Sequence, residues 1–121
     1  MRKLFASIAV NRVRATAVAA LLLGAAFAVP ALHAASPASV GVDISKFLFN
    51  AKEITVAPGT KVVWTNHDDT PHSVAANDKS FSSKGLDTDD TFEHTFANEG
   101  DFGYICSVHP FMTGVVHVRK P

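Results

Sequence analysis

The sequence predicts an all-β sandwich. Three observations carry that expectation. Short runs of alternating apolar and polar residues recur beyond residue 39, Gly, Pro, Asn or Asp mark the turns between them, and none sustains a 3.6-residue period over helical length. Six to eight such strands in one small domain suit two packed sheets better than any helical layer. No internal repeat is present.

Val40-Gly41-Val42-Asp43-Ile44 alternates and reads as the first strand, and Phe47-Leu48-Phe49-Asn50 forms a second apolar patch. Ile54-Thr55-Val56 is a short strand closed by Ala57-Pro58-Gly59-Thr60, where Pro followed by Gly signals a turn. Lys61-Val62-Val63-Trp64-Thr65-Asn66 is the clearest strand, rich in β-branched and aromatic residues. The polar run His67 to Pro71 then delivers His72, and Ser73 to Ala76 is weakly extended. Asn77 to Asp90 is polar and reads as an irregular crossing, with room for a short helical turn. Thr91 to Phe96 alternates again, Asn98 to Asp101 turns, Phe102 to Cys106 is a strand, and Gly114 to Arg119 closes the domain.

The first 34 residues read differently. Arg2, Lys3, Arg12 and Arg14 precede the apolar run Thr16 to Val29, and small residues follow at Ala31, Ala34 and Ala35. A basic start, a short apolar centre and a small-residue end describe a secretory signal peptide, with cleavage expected near Ala34. The run of about 14 residues is short of the ~20 that span a bilayer, so no lasting membrane insertion is expected. Residues 35–121 are then the folded domain. Four of the eleven basic residues precede the cut, leaving seven against eleven acidic, a net charge of about −4 with neutral histidine. That balance, without basic runs, excludes nucleic acid as a partner.

One cysteine allows no internal disulfide. A free thiol in an oxidising compartment needs burial or a bound metal. Cys106, His109 and Met112 stand at i, i+3 and i+6 in one loop between two strands, and His72 stands 34 residues upstream. Each alone has an ordinary explanation: a buried small hydrophobe, a loop imidazole, core filler. Together they are two imidazoles, a thiolate and a weak thioether, the set that suits a mononuclear copper with a long axial Met. Structural zinc prefers four strong N or S donors. Such a set offers no evident open position for a substrate, so the chain is not expected to be an enzyme. His67, His94 and His117 fall on polar loop or strand positions where a solvated face is expected rather than ligation.

These residues carry a resemblance. Val56 to Asn66, Pro71-His72-Ser73-Val74, and Gly100 to Gly114 with its Cys-x-x-His-Pro-Phe-Met loop resemble the cupredoxins, within them the short-loop amicyanin type. The resemblance implies a Greek-key β-sandwich of about seven to eight strands with one type 1 copper at one end, bound by His72, Cys106, His109 and Met112. It implies that Asn66 hydrogen-bonds Ser107 and so ties the ligand segments together. It implies electron exit through His109 in an apolar docking patch, for which Pro71, Pro110, Phe111 and Met112 are candidates. The function so implied is a soluble periplasmic carrier, expected to be monomeric, cycling Cu(I) and Cu(II) between redox proteins. By analogy its donor is of dehydrogenase type and its acceptor of cytochrome type. The competing reading is a periplasmic copper carrier or chaperone without a dedicated electron-transfer role. Val108 departs from a proline common in the amicyanin loop, which leaves a backbone N–H near the thiolate; Ala51 and the Asp87 to Asp90 cluster depart as well.

Overall fold

The computed structural model describes residues 24, 28–31 and 36–121. The chain divides into two units, Met1–His33 and Ala34–Pro121, and the eight strands among the described residues all lie in the second. The expected signal segment lies outside the described residues apart from positions 24 and 28–31. Among the described residues no helix is long and apolar enough to cross a membrane.

The strands are β1 (Ser39–Ser45), β2 (Leu48–Asn50), β3 (Glu53–Val56), β4 (Thr60–Asn66), β5 (Ala75–Ala76), β6 (Thr91–Phe96), β7 (Gly100–Ile105) and β8 (Thr113–Val118). They form two four-stranded sheets, ordered β2-β1-β4-β6 and β3-β8-β7-β5. Each sheet is mixed: β1 runs parallel to β4 and β3 parallel to β8, while the other pairs are antiparallel. The predicted all-β sandwich is therefore what the chain forms.

β4 shows why. Thr60, Val62, Trp64 and Asn66 are buried, and the residues between them are partly exposed, the two-residue period of a pleated strand with one face on the core. Trp64, 0% exposed, is the centre of that core. Its ring lies 5.9 Å from Phe81, 5.7 Å from Phe92, 6.4 Å from Phe96 and 5.4 Å, edge-on, from Tyr104. Asn66 ends the same inward row, which brings a polar side chain to the end of the sandwich where the loops gather.

The 77–90 segment departs from its polar reading. It contains no helical turn; it is pinned by single bridges between His72 and Leu86 and between Ala75 and Ser82. Phe81 and Leu86, 5% and 2% exposed, drive it into the core. His94 also departs from expectation. It stacks on Phe81 at 4.6 Å, and burial lowers its pKa below the ordinary histidine value.

β1 and β2 are joined by a two-residue hairpin loop, Lys46-Phe47, with Ser45 opposite Leu48. Both loop residues have positive φ, 54° and 58°. That is the type I′ turn, whose twist matches the strands and which usually takes Asn-Gly. A side chain in this region costs about 1–2 kcal/mol per residue, so the turn is strained. The alternation pattern placed Phe47 in the apolar patch and carried no sign of the turn.

Two predictions arise here. Gly114 lies opposite Tyr104 on β7, and a methyl at Gly114 would run into the Tyr104 phenol. Tyr104 is 1% exposed and has nowhere to move. Gly114→Ala is therefore expected to cost about 1–3 kcal/mol in urea unfolding, whereas Gly41→Ala, with open space around it, should stay within about 0.5 kcal/mol.

The second concerns pH. His117 on β8 faces Asp101 of β7 at 2.6 Å and Glu53 of β3 at 3.6 Å. The hydrogen bond to Asp101 outweighs desolvation and, with Glu53 adding, raises the His117 pKa. The pair's contribution is thus full below pH 6.5 and fades as pH rises through the elevated value. Asp101→Asn should move His117 toward 6.5 in an NMR titration and shrink that pH dependence to the part that Glu53 supplies.

Candidate metal centre

Four loop segments meet at the end of the sandwich. The first follows β4 and ends in His72, which is 0% exposed. Its backbone pairs both ways with Leu86, N–H to carbonyl at 3.1 Å and 2.7 Å. The second leaves β7 at Cys106, also 0% exposed, and runs through His109 to Met112 just before β8. It closes on itself: the Cys106 N–H donates to the Met112 carbonyl at 3.1 Å, and the Met112 N–H to the His109 carbonyl at 2.9 Å. The third is the Lys46-Phe47 turn, and the fourth is the crossing segment around Leu86.

Three donor atoms converge. His72 Nδ1 lies 3.2 Å from His109 Nδ1, and Cys106 Sγ lies 3.8 Å and 3.7 Å from them. A triangle with those sides has its centre about 2.1 Å from every corner, within the ~2.0–2.3 Å span of imidazole and thiolate bonds to a transition metal. All three atoms lie within 4.8 Å of one another. The donor set therefore fits one metal ion at that centre.

The orientation of each donor has a cause. His72 Nε2 sits 2.8 Å from Asp68 Oδ2. A carboxylate only accepts, so Nε2 carries the proton and the Nδ1 lone pair faces inward. Desolvation would raise the Asp68 pKa. The N–H groups of Phe47 and Lys46, at 2.9 Å and 2.7 Å, and the His72 imidazole outweigh it and hold the carboxyl below its usual range. The thiol sulfur accepts the Ser73 N–H at 3.3 Å. The Ser73 hydroxyl accepts the Ser107 N–H at 2.9 Å and meets the Ser107 hydroxyl at 2.6 Å.

Three expectations change. The tie between the ligand segments is made by Ser73, not Asn66. The Asn66 amide instead donates to the Thr70 and Leu86 carbonyls, at 3.0 Å and 2.9 Å, and its oxygen accepts the Asp68 N–H. Asn66 thus shapes the loop that carries His72, and Ser73, immediately after His72, is the nearer group to Ser107. Val108 N–H makes no hydrogen bond to Sγ among the described residues. Met112, 1% exposed, belongs to the interior and not to a surface patch, whereas Phe111 is 70% exposed.

Pro71 and Pro110 are exposed as expected, and the Phe111 ring lies 6.0 Å from half-buried His109. Sequence reasoning missed Asp68, Ser73 and Phe47. The Phe47 ring stands edge-on to both imidazoles, 5.1 Å from each. A carboxylate four residues before His72 was the one signal available in the sequence.

A family model described as copper-binding proteins of the plastocyanin/azurin family matches residues 37–119. Amicyanin-alpha of Methylorubrum extorquens is 36% identical over 113 residues, covering 87% of this chain and 95% of the relative. Among solved structures, a reduced mutant of amicyanin superposes with a TM-score of 0.64 at 27% identity, covering 69% of this chain and 85% of the other. A copper-containing nitrite reductase from Thermus scotoductus gives 0.66 at 28% identity over 71% of this chain. This chain spans 23% of that protein's length.

Proposed function

As the chain belongs to the plastocyanin/azurin family of copper-binding proteins, we propose that it is a periplasmic electron shuttle in which His72, Cys106, His109 and Met112 would hold one copper ion. That it is an amicyanin-like copper electron-transfer protein using one type 1 copper follows from the family and the donor cluster. The observation that carries it is the convergence of two Nδ1 atoms and one sulfur on a common centre.

When bound, copper supplies a one-electron Cu(I)/Cu(II) couple. The protein's part is to keep the donors still. His72 is fixed through Asp68, Cys106 through the Ser73 N–H, and the loop through its own backbone bonds. A mixed N and S donor set is acceptable to both oxidation states, and donors held in place have little to rearrange when the electron moves. Burial of His72, Cys106 and Met112 suits retention of the metal rather than its delivery to another protein.

His109 is the half-buried ligand candidate, with the Phe47 and Phe111 rings 5.1 Å and 6.0 Å from its own. Phe111, Val108, Leu48 and Phe47 are 70%, 57%, 56% and 39% exposed. Phe111 and Leu48 also line a shallow depression with Lys52. An apolar patch of this kind marks a docking surface, here for redox proteins: a dehydrogenase-type donor and a cytochrome-type acceptor. A small contact suits partners that must separate quickly.

The test is titration of the apoprotein with Cu(II). One equivalent should give an intense band near the red end of the visible spectrum, bleached by one electron per protein and restored by an oxidant. A colourless product, or copper lost rapidly to a modest chelator, would overturn the shuttle.

A further inference from the structure

We propose that Asp68 and Phe47 form one positioning unit that sets both imidazoles before any metal arrives. The proposal rests on the copper reading of the site and assigns roles to two residues outside the donor set.

Three observations meet here. Asp68 is only 15% exposed at its side chain, and both oxygens are engaged. Oδ1 accepts the Lys46 N–H, and Oδ2 accepts the Phe47 N–H and faces His72 Nε2. The turn it receives is strained, with two side-chain-bearing residues at positive φ where Asn-Gly would fit freely. The ring that this turn presents touches both His72 and His109, which also contact each other at 5.0 Å between centroids.

An ionised carboxylate carries about four lone-pair sites and no donor, so it can serve three N–H groups at once, where an amide oxygen offers only two lone pairs. The carboxylate holds the turn in its left-handed conformation and fixes the His72 tautomer with one set of atoms. The turn in return seats the Phe47 ring as a wall against both imidazoles. Strain persists where the surroundings over-determine it, and it gathers at functional sites. Here it places a ring that Gly could not supply. His109 lies on a loop closed by backbone bonds alone, so the ring limits its swing away from the centre.

Two variants test this, each read in three ways: the imidazole ¹⁵N shifts of the apoprotein, Cu(I) affinity by chelator competition, and the urea midpoint. In wild-type apoprotein, His72 should be a single tautomer with its proton on Nε2. Asp68→Asn should mix the tautomers and weaken Cu(I) binding about 10–100-fold, the usual effect of losing a partner of a metal-bound histidine. Lys46→Asn/Phe47→Gly should keep or raise the urea midpoint, because the turn is relieved, while Cu(I) affinity falls about 10-fold. An unchanged His72 tautomer in Asp68→Asn would overturn the proposal. So would a double variant that binds Cu(I) within twofold of wild type, or one that loses stability and affinity together. Should Asp68→Asn fail to fold, the double variant decides. Should wild type take no copper, the copper reading fails, and the tautomer measurement still decides the positioning unit.

Discussion

Cys106→Ala is expected to lose the whole of the red-end absorption on Cu(II) addition and to lose tight copper binding. The reason is local. Sγ is the one thiol in the described chain, and the charge-transfer colour of a blue-copper centre belongs to the copper–thiolate bond. The two Nδ1 atoms left behind are 3.2 Å apart and can still hold a metal weakly without that bond. The fold should survive. Removing one buried sulfur costs roughly 1 kcal/mol in the apoprotein, less than the 5–15 kcal/mol typical of a domain. The variant therefore separates site from scaffold: urea unfolding of the apoprotein nearly unchanged, optical titration flat. Retained blue colour would remove Cys106 from the ligand set.

Trp64→Ala should do the reverse. Trp64 is fully buried and its ring contacts Phe81, Phe92, Phe96 and Tyr104. Truncating a core Trp costs about 3–5 kcal/mol, a large share of what a domain of this size can hold. The expected outcome is a urea midpoint lowered by half or more, with copper colour recovered where the chain is still folded. Trp64→Phe, which keeps a ring in the same place, should lose less than half as much. Equal losses in the two variants would show that the ring contacts are not what holds the sheets together.

The sites of these two substitutions differ in how they could be read from the chain. Trp64 sits in a strand whose alternation is complete, so its inward position follows from the pleat alone. Most of the strands are legible in the same way, because a strand with one buried face writes its period into the sequence, whereas the three-residue β2 reads only as an apolar patch and the two-residue β5 as weakly extended. The crossing segment was harder: two apolar residues among polar ones, Phe81 and Leu86, have no period, and only the fold shows that both are core.

The donor set was legible because three of its candidates lie within seven residues, and local spacing is something a sequence carries directly. That loop and His72 point to copper by residue type and spacing alone. What the sequence could not convey is which groups hold the donors in place. Asn66 was expected to bridge to Ser107, yet Ser73 does so, since both residues lie near the loop and only packing decides which one reaches. Asp68 and Phe47 are 21 residues apart and have no pattern in common. They meet because β1 pairs in parallel with β4, which sets the end of one strand beside the end of the other. The chain by itself determined the longer strands, the part of the core that alternates along them, and the metal chemistry, all of which depend on residue type and short spacing. The tertiary structure alone decided the hydrogen bonds that aim the donors, because those depend on sheet register between segments far apart in sequence.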